Sequence, residues 1–116
     1  REFFLQNALY WLKEFHIDAL RLDAIHGIVD DSEGHVLQEM AERVYALSQQ
    51  LELPRYLIAE SDLNDVKVIK DRDQGGYGIN SQWCDDFHHC LHTILTGENN
   101  GYYADYHGGR RSCSFF

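Results

Sequence analysis

Positive charge is scarce in this sequence. Ten Lys and Arg stand against nineteen Asp and Glu, a formal net charge of −9. That balance disfavours a nucleic-acid backbone or an anionic membrane as partner and suits a neutral substrate. Cysteine is sparse too. Cys84, Cys90 and Cys113 are an odd number without CxxC spacing, so no disulfide framework is expected and a reducing cytoplasm is the default compartment. No apolar run approaches the ~18 residues of a transmembrane helix. The opening REFFLQNALYWLKEF carries charges throughout and does not read as a signal peptide. Position 1 is not Met, which fits a chain that begins within a longer protein. Repeats and low-complexity segments are lacking.

What remains is globular: 116 residues, 44% hydrophobic, with 7 Tyr, 6 Phe and 2 Trp. The hydrophobic spacing predicts a helix over Arg1 to Phe15, with Phe4, Ala8, Trp11 and Phe15 as its stripe and Leu5, Leu9 and Leu12 widening it. Ala19 to Asp23 reads as a strand. A second helix is expected from His35 to Leu51, capped by Asp31 or Ser32, with Leu37, Met40, Ala41, Val44, Leu47 and Leu51 inward. Pro54, the only proline, ends it and precedes a second strand, Tyr56 to Glu60. A long polar connection follows, in which Asp62 to Lys70 has room for a short helix. Ser81 to Cys84 reads as a third short strand. Asp86 to Leu95 reads as a helix with Phe87, Leu91, Ile94 and Leu95 inward.

Strand, helix, strand is a βαβ unit, and its strands must be parallel. The expected class is therefore α/β, with two or three parallel strands and flanking helices. Asp23 and Glu60 end adjacent strands on the side where parallel α/β folds keep their sites. With strands roughly 5 Å apart, the two carboxyls reach about the spacing that a retaining glycosidase uses between nucleophile and acid/base. Arg21 shares Asp23's strand face and favours its ionised form. Apolar Tyr56, Ile58 and Ala59 precede Glu60 and are expected to raise its pKa, as an acid catalyst requires. A purely structural Arg21–Asp23 pair fits the first strand equally well, and His26 suits either a sugar hydroxyl or a plain loop position.

The stretch WCDDFHHCLH packs Trp83, Asp85, Asp86, His88, His89 and His92 into ten residues. His88 and His92 have the i,i+4 spacing of two metal ligands. The Glu of HExxH is missing and the cysteines have no paired spacing, so no metal is expected. A carbohydrate-binding rim of Trp, Asp and His is the better reading. A small non-catalytic sugar- or metal-binding α/β module stays open as the alternative.

ALRLDAIH followed by YLIAES resembles two signature regions of the alpha-amylase family of glycoside hydrolases. Further similarity lies in GYGINSQWCDDFHHCLHTILTGE and GYYADY, so the likeness spans roughly residues 1–106. DDFHH is its more specific part, since glucan branching enzymes of the same family differ there. The resemblance implies a retaining enzyme on a (β/α)8 barrel acting on an oligosaccharide, with no cofactor. By position it implies Asp23 as nucleophile and Glu60 as proton donor. Arg21 and His26 would flank the cleaved bond, and Asp85, Asp86, His88 and His89 would lie in the cleft. The family's third essential Asp, in an NHDQ-like stretch, and its DVVYNH-like strand are not in this sequence. A complete barrel needs about 250 residues, so a partial barrel is expected over 1–106. The tail 107–116, HGGRRSCSFF, departs from the family.

Overall fold

The structure is a computed structural model that describes residues 1–106. The tail 107–116, with Cys113, lies outside the described residues. Element order is α1 (Glu2–Glu14), β1 (Ala19–Leu22), α2 (Val36–Leu51), β2 (Tyr56–Ser61), β3 (Ser81–Cys84) and α3 (Asp85–Thr96), with short 3-10 turns between and after them. The three strands form one parallel sheet in chain order. Leu22 pairs with Ala59, and Glu60 with Trp83. The expected α/β class, a part of a (β/α)8 barrel, is borne out. Among the described residues no helix is long and apolar enough to cross a membrane.

The core lies between the sheet and the first two helices. Alternation along the strands sends Leu20, Leu22, Leu57 and Ala59 toward Leu5, Leu12, Leu37, Met40 and Val44. Arg21, Ile58, Glu60 and Trp83 share the opposite face. Arg55 locks the bottom of the sheet from a buried position. Its Nε donates to the Leu12 carbonyl at 3.2 Å, and its guanidinium also reaches the Pro54 carbonyl and Asp18.

Several local expectations are corrected. On α1 the buried residues are Leu5, Ala8 and Leu12. Phe4, Trp11 and Phe15 are exposed instead, Trp11 and Phe15 packing on each other with Tyr10. The apolar arc of α1 is wider than the surface that α2 and the sheet cover. On α3 the buried residues are Cys90 and Thr93, whereas Phe87, Leu91, Ile94 and Leu95 are exposed. The cap of α2 is His35, whose Nδ1 accepts from Leu37 N–H at 3.2 Å. Asp30 joins it, accepting from Val36 N–H at 2.6 Å. Ser32 is used inside the loop, donating to Asp30, so it does not reach the helix. Cys84 is a free thiol.

The long connection 62–80 carries two 3-10 turns, Val66–Val68 and Arg72–Gln74. It closes on itself at Gly76, where a Cβ would fall 2.0 Å from the Lys70 carbonyl oxygen. That close approach requires glycine.

Candidate active site

The C-terminal ends of all three strands meet at one place. β1 ends at Leu22, and the chain turns sharply at Ala24, which has φ 46 and ψ 48. This left-handed turn starts the 3-10 turn Ile25–Gly27 that carries His26. β2 delivers Glu60 and, one step beyond its end, Asp62. β3 runs straight into α3, so Trp83 sits on the strand and Asp85 opens the helix.

Arg21 is the hub. One guanidinium nitrogen lies 2.8 Å from Asp23 Oδ1 and another 3.6 Å from Glu60 Oε2. Its Cζ also sits 5.2 Å from the Trp83 ring centre, within cation–π range. One side chain of β1 thus joins the two candidate carboxylates and the aromatic of β3. The fork geometry of Arg suits this, because it serves two carboxylates at once.

Glu60 is the best-supported of these groups. Its Oε2 accepts the Ala24 backbone N–H at 2.7 Å, and its side chain is only 13% exposed. That N–H holds its carboxyl below the ordinary value, helped by a hydrogen bond with Asp85 and by the charges of Arg21 and His26. The expectation of a raised Glu60 is therefore corrected. The apolar neighbours along β2 matter less than a backbone N–H and a cation reaching it through space. The raised carboxyl is Asp85, pushed up by burial and by Glu60 beside it.

A cleft of about 490 Å³ continues from these carboxyls, lined by His26, Asp62, Asp85, His89, Tyr102, Asp105 and Tyr106. His26 Nδ1 lies 3.3 Å from Asp62 Oδ1, close enough for an ion pair but without hydrogen-bond alignment. His88 Nε2 is 3.7 Å from Asp85 Oδ1. The His89 ring stacks on Tyr102 at 5.1 Å and meets Tyr103 and Tyr106 edge-on. Tyr106 donates its hydroxyl to Asp86, which ties the 3-10 turn Gly101–Asp105 back to α3. His92 pairs with Glu98 at 2.7 Å.

Arg21, Asp23, Glu60 and Trp83 gather around one guanidinium, and His26, Asp85 and His89 line the adjoining cleft. His88 joins through Asp85, while Asp86 is engaged by Tyr106. Asp62, Tyr102, Asp105 and Tyr106 were not singled out by sequence reasoning. Asp62 follows the strand that ends YLIAES, and the GYYADY segment was noticed as a whole without its tyrosines being placed. The arrangement combines carboxyls, a cation and aromatic faces, which is what a sugar ring needs for polar contacts on its hydroxyls and apolar contacts on its C–H face.

No protein-family model matches the chain. It is 51% identical over 108 residues to a malto-oligosyltrehalose trehalohydrolase of Arthrobacter ramosus, covering 93% of this chain and 19% of that protein. It is 47% identical over 106 residues to the enzyme of the same name from Saccharolobus solfataricus, covering 91% and 18%. A crystal structure from Salmonella typhimurium, named "Putative alpha Amylase", superposes with a TM-score of 0.75 at 36% identity, over 92% of this chain and 18% of that one. The chain spans about a fifth of the length of these relatives. The resemblance read from ALRLDAIH and YLIAES is borne out: the chain is a relative of one segment of the malto-oligosyltrehalose trehalohydrolases.

Proposed function

We propose that this segment supplies two of the catalytic carboxylates of a retaining glycoside hydrolase of the alpha-amylase family. The full-length protein would cleave the α-1,4 glucosidic bond next to the terminal trehalose of a maltooligosyltrehalose and release trehalose. The observation that carries the reading is Arg21 joining Asp23 and Glu60 at the ends of adjacent parallel strands.

Asp23 attacks the anomeric carbon and forms a glycosyl ester. Glu60 gives a proton to the departing oxygen, then takes one from the water that hydrolyses the ester. Arg21 fixes the two carboxyls relative to each other. Trp83 offers an aromatic face, and His26, Asp85 and His89 line the cleft that receives the sugar, with Asp86 and His88 supporting it. The net negative charge suits a neutral oligosaccharide, and no nucleic acid is proposed as a partner.

The test is Asp23→Asn and Glu60→Gln in the full-length protein, with trehalose release measured from a maltooligosyltrehalose. Each should lower kcat by about a hundredfold or more, with KM little changed. A loss below about tenfold for either rejects the assignment. Formation of α-1,6 branches in place of trehalose rejects the reaction.

A further inference from the structure

His26 and Asp62 reach the cleft from neighbouring strand ends. β1 and β2 are parallel partners, with Leu22 opposite Ala59, so the turns that leave them lie side by side. Both turns are pinned. The turn carrying His26 closes through Gly27 N–H donating to the Ala24 carbonyl at 2.9 Å, and its Ile25 is buried. Asp62 sits in a turn closed by Leu63 N–H donating to Ser61 Oγ at 3.1 Å, and Ser61 is fully buried. The two side chains therefore meet at a fixed place, with His26 Nδ1 3.3 Å from Asp62 Oδ1.

The oxygens of Asp62 differ in their surroundings. The side chain is 45% exposed, yet Oδ1 is covered and accepts no hydrogen bond among the described residues. A covered carboxylate oxygen is costly to leave without a donor. Being covered, it is closed to a ligand as well, and the donor beside it is the His26 ring. A tilt of that ring brings an Nδ1–H into line, the kind of tightening that follows when a ligand enters a site. A carboxylate only accepts, so the bond requires the proton on Nδ1. The other ring nitrogen, Nε2, is then left for the cleft that both residues line.

We propose that Asp62 is a positioning residue for His26: it fixes the ring proton on Nδ1 and so presents Nε2 to a sugar hydroxyl as an acceptor. This rests on the reading of the cleft as the sugar site. A free imidazole divides its proton between two nitrogens and turns about its own side chain. A ring held by Asp62 meets the hydroxyl without first being ordered, as a histidine held by an outer carboxylate meets a metal. The contact is made before and during bond cleavage alike, so its loss weakens binding and leaves the chemical step unchanged.

The test uses the full-length protein with ¹⁵N-labelled histidine, and identifies the His26 ring by its loss in His26→Ala. At about pH 8, where an ordinary imidazole is neutral, the ring-nitrogen shifts should place the proton on Nδ1. In Asp62→Ala the proton should move to Nε2 in most molecules. An unprotonated Nδ1 in the wild type, or an Nδ1 proton that Asp62→Ala leaves in place, overturns the proposal. Kinetics read the consequence. Asp62→Ala should raise KM for a maltooligosyltrehalose by about tenfold with kcat little changed. In the His26→Ala background it should add nothing. A further rise in the double variant means that Asp62 acts without His26, and overturns the proposal. Should Asp62→Ala not fold, the wild-type shifts still decide, since an unprotonated Nδ1 overturns the proposal by itself. Absence of trehalose release from the wild type would instead remove the reading of the reaction, while the ring shifts still report how Asp62 holds His26.

Discussion

The backbone N–H of Ala24 donates to Glu60 Oε2 at 2.7 Å, so the loop after β1 holds the side chain that ends β2. Ala24 makes this bond from the left-handed region, with φ 46 and ψ 48. An L-residue there costs about 1–2 kcal/mol, and the site over-determines a strained conformation to keep Glu60 in place. Ala24→Gly keeps the N–H and removes the strain. Its higher unfolded-state entropy offsets part of the gain, leaving up to about 1 kcal/mol of added stability. Ala24→Pro fixes φ near −65° and removes the donor, and should release Glu60. Thermal unfolding reads the first variant, and kcat, expected to fall by about tenfold or more, reads the second.

Val44 tests the packing of α2 on the sheet. It is 2% exposed within the core shared by α1, α2 and β2. Val44→Asp buries an unpaired carboxylate there and should destabilise by roughly 3 kcal/mol or more. An unchanged melting temperature in the full-length protein would show that this face is not buried.

Much of this architecture was legible before any coordinates. ALRL and YLIAES alternate, and the helix between them carries one clean stripe, so the parallel pair and the placing of Asp23 opposite Glu60 followed from chain geometry. What failed has a common cause. Along α1, periodicity showed that Phe4, Trp11 and Phe15 are apolar, but the arc that neighbours cover is set by tertiary packing. The same holds for Phe87, Leu91, Ile94 and Leu95 on α3. At the site, the residues flanking Glu60 on its strand suggested a raised carboxyl. The groups that set its charge come from positions 21, 24, 26 and 85, which only folding brings together.

The carboxyl pair gives opposite pH signatures. Glu60 is depressed in the fold from 4.5, by the Ala24 N–H first. Its contribution to stability is present above the ordinary glutamate value and is lost as pH falls through the lower folded value. Asp85 is raised from 3.8, by burial first. Its contribution is present below the ordinary aspartate value and is lost as pH rises through the higher folded value. Melting temperatures of wild type, Glu60→Gln and Asp85→Asn should be compared from about pH 3 to about pH 7. The wild type's advantage over Glu60→Gln should shrink as the solution is acidified. Asp85→Asn should gain on the wild type as pH rises. Either difference running the other way would contradict the carboxyl arrangement at the end of β2.

Residues 1–116 expressed alone should neither unfold cooperatively nor hydrolyse a maltooligosyltrehalose. Barrel closure needs eight paired strands, and the described residues supply three. β1 and β3 are the two ends of that sheet, so each presents one edge that no described strand covers. Trp11 and Leu95, 40% and 75% exposed, belong to apolar helix faces that stay in water when the segment stands alone. The site suffers for the same reason: Asp23 and Trp83 are largely open to solvent, where the Coulombic hold of Arg21 is weakened by water and salt. Urea titration followed by circular dichroism, alongside an assay for trehalose release, tests both halves. A sharp cooperative transition together with measurable hydrolysis would mean that three strands and two carboxylates suffice, and would overturn the reading of this chain as one part of a larger barrel.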